Sequence, residues 1–259
     1  MKFILDEKAY VEELFEHKTM GKSEKISIRL LLKYYRGLGL VKEDAVKELV
    51  AFMSENMPQF KEFQWKTTIN RLADLVYDNE QELFVVDKVL ITKKELETIL
   101  SVDDFKQQRV LFCLLVYKKV QNQMNVQENQ WFNGSLSEIF KMARVSGTHG
   151  TIEAQCRMVY ELKEAGYIAL AKRIKSLNLF LNYIDLNIDE NTEIAMEIED
   201  FNDVVYYLYK HLGERVVQCQ HCGRMIKLKK KERASRKYCN ACKKIVNNEK
   251  VSRFRERQK

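Results

Sequence analysis

Four cysteines near the end of the chain carry the clearest chemistry. Cys219, Cys222, Cys239 and Cys242 read as C-x2-C, sixteen intervening residues, then C-x2-C. Each C-x2-C sets two thiolates side by side, and two such knuckles supply the four ligands that a tetrahedral Zn2+ ion takes. A disulfide reading needs an oxidising compartment, which the opening MKFILDEKAY does not suggest. Gly223 follows the first knuckle, where the returning chain commonly needs a positive φ. His221 reads as an exposed side chain between two ligands. Four protein ligands leave no position open for water, so the expectation is one structural zinc and no zinc chemistry. Cys113 and Cys156 sit in apolar helical surroundings and read as core thiols.

Charge gathers around this motif. Residues 224–259 hold 15 Lys or Arg against three Glu, a balance of +12, whereas the whole chain is +7. The first 223 residues are therefore mildly acidic, at about −5. A basic end on an acidic body suits contact with a polyanion, although lysine-rich tails are also often only solvated surface. The expected phosphate contacts are Lys229, Lys230, Lys231, Arg233, Arg236, Lys237, Lys243, Lys244, Arg253, Arg255 and Arg257.

The segment CQHCGRMIKLKKKERASRKYCNACKKIVNNEKVSRFRERQK covers roughly one-sixth of the chain. It resembles the short C-terminal zinc ribbons found on many proteins of Gram-positive phages and mobile elements. Those ribbons run through a CxxCG knuckle, a basic loop, an aromatic residue before the second CxxC, and an Arg/Lys-rich helix. Here Tyr238 is the aromatic residue and 246–259 the basic helix. The resemblance implies a zinc ribbon, and it fits nucleic-acid binding as well as protein contact.

A second pattern precedes the ribbon. The spacing predicts a long apolar-centred helix over 103–125, a loop at Asn133-Gly134, and a short helix over 136–143 capped by Ser135 with Glu138 at capping-box distance. A third helix is expected over 151–165. Its inward face is drawn from Ile152, Cys156 and Val159 and from Ala154, Met158 and Leu162. Strands are expected over 167–174 and 177–186, the second alternating, with the basic tip Lys172-Arg173-Ile174-Lys175-Ser176 between them. Helix, helix, helix, hairpin is the order of a winged helix, and ELKEAGYIAL looks like that superfamily's junction between third helix and wing. The resemblance implies a third helix in a major groove and a hairpin on phosphate, with Lys172, Arg173, Lys175 and Arg157 as contacts. Glu153, Glu161 and Glu164 oppose that role, and many winged helices bind protein instead.

The first hundred residues read as helices over 26–36, 42–57 and 64–77, then a β-like run in 82–91 and a helix over 93–100 capped by Thr92. LLKYYRGLGL is similar to segments of the small helical domains beside primase cores and in phage replication proteins. Tyr34, Tyr35, Phe52, Phe60, Phe63 and Trp65 read as core aromatics. The acidic stretch 189–201 reads as a linker into a helix over 203–212.

The expected fold is thus mainly α with a small β component. Its parts are a helical domain (1–100), a winged-helix-like domain (101–188), a linker and helix (189–214), and a zinc ribbon with basic tail (215–259). There is no Gly-rich phosphate loop, G-x-S-x-G or H-E-x-x-H motif, and the four His are scattered, so no enzyme is expected. No apolar run approaches the roughly 20 residues of a membrane span, and a cytoplasmic protein is expected. Nucleic acid, DNA favoured over RNA, is the expected partner. The alternative is an adaptor or inhibitor docking on a nucleoprotein, with the ribbon purely structural.

Overall fold

The structure is a computed structural model that describes residues 4–124, 128–145, 151–171, 178–201, 203–228 and 235–256, the last seven by backbone alone. The chain is mainly helical with three small sheets among the described residues. It divides into two compact units, one within Lys2–Asp87 and Gln123–Val126, the other within Lys88–Asn122 and Gln127–Lys259.

The N-terminal unit packs four helices, α1 (Glu7–Glu16), α2 (Glu24–Gly37), α3 (Lys42–Asn56) and α4 (Glu62–Asp78). Asp6 caps α1 by accepting from the Ala9 N–H at 2.8 Å. Gly39, at φ +83°, takes the left-handed conformation in the turn after α2. Leu14, Ile28, Leu31, Leu49, Met53, Ile69 and Val76 form the core, with Tyr35 buried and Tyr34, Phe52, Phe60 and Trp65 packed at its margin. Phe63 departs from the core expectation: it is 74% exposed, because it lies in the first turn of α4, off the stripe through Ile69, Leu72 and Val76. One charged pair is interior. Lys33 Nζ donates to Glu7 Oε2 at 2.7 Å. Burial raises the Glu7 carboxyl and lowers the Lys33 ammonium.

The second unit begins with β1 (Val89–Thr92), which pairs antiparallel with β5 (Ile194–Ile198). The stretch expected to be a linker therefore contains a strand. Thr92 ends β1 and caps α5 (Lys93–Leu100) in a reciprocal capping box with Glu95. Helix α6 (Phe105–Gln123) is buried on every side along its centre, including Lys118 and Lys119. The chain continues through β2 (Trp131–Asn133), α7 (Leu136–Met142), α8 (Ile152–Glu164), β3 (Ile168–Leu170) and β4 (Asn178–Leu181), and these strands form a sheet in the order β2-β4-β3. Ser135 caps α7 as expected, accepting from the Glu138 N–H at 3.4 Å.

Three expectations are corrected here. The residues expected as a loop at Asn133 form part of β2. The inward face of α8 is Gln155, Met158, Val159 and Leu162, whereas Ile152 is 71% exposed and Cys156 is exposed. Both apolar stripes had helical spacing, and packing against α7 and β3 selects the one through Met158 and Leu162. The strands flanking the hairpin are also shorter than expected, and the tip residues Lys172, Arg173 and Lys175 lie outside the described residues.

Helix α9 (Val205–His211) then leads into β6 (Val216–Gln218) and β7 (Met225–Lys227), an antiparallel pair, and α10 (Asn240–Glu256) closes the chain. No helix among the described residues is long and apolar enough to cross a membrane.

Buried charge ties this unit together. Glu95 is fully buried; its Oε2 accepts from Lys119 Nζ at 2.8 Å and from the Thr92 N–H at 2.9 Å, and its Oε1 accepts from the Asp185 N–H at 2.8 Å. Lys119 also donates to the Leu90 carbonyl at 2.8 Å. Lys119→Met leaves that carboxylate buried without its counter-charge and is expected to lower stability by about 3–5 kcal/mol. In urea denaturation, Glu95→Met/Lys119→Met should lose less than the two single variants added together.

Lys118, 1% exposed, donates to Asn129 Oδ1 at 2.9 Å. Burial lowers its ammonium from 10.5 to about 8, and the Glu128 carboxylate only partly opposes this. Between about pH 8 and 10.5 the unfolded chain holds a proton that the folded chain has released, so stability rises with pH across that window. The gain is of order 1–3 kcal/mol. Lys118→Met removes it, so the parent's urea midpoint should rise relative to the variant's as pH climbs from about 8 to 10.5; a constant difference would refute the assignment.

Candidate metal centre and its basic surroundings

The β6–β7 hairpin carries the first knuckle. Its turn closes through the Gly223 N–H on the Cys219 carbonyl at 2.9 Å, with the Cys219 N–H on the Arg224 carbonyl at 2.9 Å. Gly223 sits at φ +70°, the left-handed conformation expected from the motif. The second knuckle is built differently. Cys239 precedes α10 and Cys242 lies in its first turn, so a helix start sets their spacing. The Gln220 N–H on the Lys237 carbonyl, 2.8 Å, joins the two knuckles.

The result is convergence. All four sulfurs lie within 4.8 Å of one another, and Cys222 and Cys239 are 4.0 Å apart. Sulfurs at about 2.3 Å from a tetrahedral ion stand about 3.8 Å apart, so the cluster needs little adjustment to hold one. Two disulfides would pair the sulfurs, whereas here all four face one centre. Backbone donors aim at them: the Cys239 N–H meets Cys219 Sγ at 3.3 Å and the Cys242 N–H meets Cys239 Sγ at 3.4 Å. Cys219, Cys239 and Cys242 are buried, with Ile226, Val217 and Tyr238 packed around them, while Cys222 and His221 are exposed.

Proton affinities diverge within the cluster. Burial raises the Cys219 thiol, but N–H donors from Cys239, Cys222 and His221 outweigh it and bring it down to about 6. The Cys242 thiol is pushed up to about 12 by hydrogen bonding with Cys222 and by burial. Four adjacent thiolates repel one another; a divalent cation at their centre relieves what a retained proton otherwise must. The donor set suits soft or borderline ions.

Around the cluster, Lys237, Lys243 and Lys244 are exposed. Arg236 is a brace for the knuckle: its Nη2 donates to Asn240 Oδ1 at 2.7 Å and its Nε to the Tyr238 carbonyl at 3.2 Å. Arg157 is exposed on α8, its Nε 3.9 Å from Glu161 Oε1. Lys229, Lys230, Lys231, Arg233 and Arg257 lie outside the described residues, as do the side chains of Arg253 and Arg255.

The sequence reading missed how the ribbon is held. Asp203, 6% exposed, accepts from Arg144 Nη2 at 3.0 Å and from the Met225 N–H of β7 at 2.9 Å. Tyr209 of α9 accepts from Arg109 Nη1 at 3.0 Å, and Lys227 Nζ of β7 stands 4.2 Å from the centre of its ring. Helix α9 thus joins α6 and the end of α7 to the ribbon. The crowding of Tyr206, Tyr207 and Tyr209 in one short helix was the available signal. In comparisons with protein-family models, with curated proteins and with solved structures, nothing matches this chain.

The cluster predicts one metal ion per chain. Protein loaded with Co2+ should show the intense visible absorption of a tetrahedral thiolate site, and Cys219→Ser or Cys242→Ser should abolish it while far-UV circular dichroism stays nearly unchanged. Retention of stoichiometric metal by both variants would refute the centre.

Proposed function

We propose that this chain is a nucleic-acid-binding protein, with DNA favoured over RNA, acting in replication or transcription control for a phage or mobile element. The observation that carries the reading is the meeting of four cysteines at the start of α10, the helix that begins the basic tail. Zinc is the ion we assign. Bound there, it cross-links the two knuckles and offers no open coordination position.

Electrostatics then does the binding. A divalent ion with four thiolates carries −2, so residues 219–259 still present about +10. Lys237, Lys243 and Lys244 stand exposed at the second knuckle, where the cross-link fixes the direction of α10. Such cations neutralise phosphates and release condensed counterions, which gives affinity without base readout. Support for the second module comes from element order: α6, β2, α7, α8, β3, β4 with strands ordered β2-β4-β3 is the arrangement of a winged helix.

One observation favours a protein partner for part of this surface. The outward side of α8 carries Ile152, Cys156 and Tyr160, the first 71% and the last 57% exposed, with Arg157 already close to Glu161. An apolar stripe with acidic neighbours suits a protein surface better than a phosphate-lined groove, so the alternative of an adaptor or inhibitor is strongest at this helix.

Full-length protein tests the main reading best, because truncation after Leu212 would uncover Asp203 and Tyr209. Duplex DNA affinity is expected to fall by about a thousandfold or more between 50 and 200 mM salt, as for six or more phosphate contacts. Lys243→Glu/Lys244→Glu should weaken binding at low salt and make the salt slope shallower by about two. Affinity that is flat with salt would defeat the reading and leave the protein-docking alternative.

A further inference from the structure

Three of the four clustered sulfurs are packed in, and the fourth is not. Cys219 follows β6 among Ile226 and Val217, Cys242 lies in the first turn of α10, and Cys239 stands just before that helix. Cys222 is exposed, in a turn over 220–224 that is exposed throughout. Its Sγ stands 4.0 Å from that of Cys239, 17 residues along the chain and on the other knuckle. A disulfide closes at about 2 Å, so the two sulfurs need to approach by about 2 Å more. The exposed turn can supply that movement without unpacking an apolar side chain.

Zinc bonding keeps all four sulfurs as thiolates, and the thiolate is the form that peroxide oxidises. A sensing cysteine combines thiolate character, access to solvent and a second sulfur close by. Within the cluster only Cys222 has all three. The two remaining cysteines each lack something: Cys113 is fully buried, and burial pushes its thiol up to about 12. Cys156 is exposed on α8 but lies outside the cluster.

We infer that the cluster is a peroxide-responsive switch: oxidation enters at Cys222, a Cys222–Cys239 disulfide closes, and the metal is given up. The Cys222 thiolate attacks one peroxide oxygen, the O–O bond breaks, and the departing hydroxide takes a proton to become water. Cys222 is then a sulfenic acid. The Cys239 thiolate attacks its sulfur, an S–S bond forms, the S–O bond breaks, and a second hydroxide leaves and is protonated. Two thiolates lose one electron each, the peroxide gains both, and two protons come from solvent. With half its ligands spent, the site no longer holds zinc. The joint between hairpin and α10 survives, because the new bond spans the same two knuckles that the ion spanned. A small thiol reverses the change by attacking the exposed Cys222 sulfur. The inference rests on the zinc assignment and on none of the nucleic-acid reading.

The test uses full-length Cys156→Ser, which removes the other exposed thiol, loaded with zinc under reducing conditions and then freed of reductant. Hydrogen peroxide is added in a few-fold molar excess. Released zinc is read with a chromogenic chelator, and disulfides are mapped by mass spectrometry of unreduced peptides. About one zinc per chain should be released, with Cys222 and Cys239 in one linked peptide pair. Dithiothreitol with added zinc should restore the loaded state. Cys222→His in the same background keeps four ligands, imidazole being an ordinary zinc ligand, and should hold its metal through the same treatment. Zinc retained by the parent under peroxide, or a disulfide within one knuckle, overturns the inference and leaves the zinc assignment standing. Equal metal loss from the histidine variant does the same. Protein that holds no stoichiometric zinc before oxidation overturns the zinc assignment and this inference together. Because the linked peptide is read on the intact cluster, the outcome does not depend on the histidine variant folding.

Discussion

A carboxylate sealed from water must have its charge answered inside the protein, and Glu95 meets that requirement with three donors drawn from three places. The Thr92 N–H comes from the cap of α5, the Lys119 ammonium from α6, and the Asp185 N–H from the segment after β4. Removing any one leaves part of the desolvation cost uncompensated. The arrangement therefore admits one register of α5 against α6 and one exit path for the chain beyond the sheet. A purely apolar contact would tolerate sliding, because dispersion and burial have no direction.

Asp203 does the same work further along. Its two oxygens join the end of α7 to β7, and the neighbouring tyrosines of α9 fill the space between α6 and the ribbon. The basic segment is thus not a pendant on a loose connection. Its first cations start from a ribbon whose position within this unit is fixed by a buried acceptor.

What the sequence disclosed, and what it hid, follows from the range of the interactions involved. Helices α2, α3 and α4 of the N-terminal unit, the caps at Thr92 and Ser135, and the knuckle spacing of Cys219, Cys222, Cys239 and Cys242 are local signals, whereas α1 (Glu7–Glu16) was not anticipated. The strand β5 is different: its Ile198 pairs with Val89 across more than a hundred residues, and an acidic stretch gave no local sign of it. The three residues of β2 likewise acquire strand character only from β4. On α8, two apolar stripes had equal helical spacing, and only the packed neighbours decided that Met158 and Leu162 face inward while Ile152 and Cys156 do not. The partners of Asp203 lie 59 and 22 positions away, beyond any motif.

The four sulfurs of the cluster are not equal in their access to solvent. Cys219, Cys239 and Cys242 are shielded, and Cys222 alone meets water. Any ion held among them has one door. A competing thiol or chelator would meet such an ion first at Cys222, on the turn that Gly223 bends back upon itself.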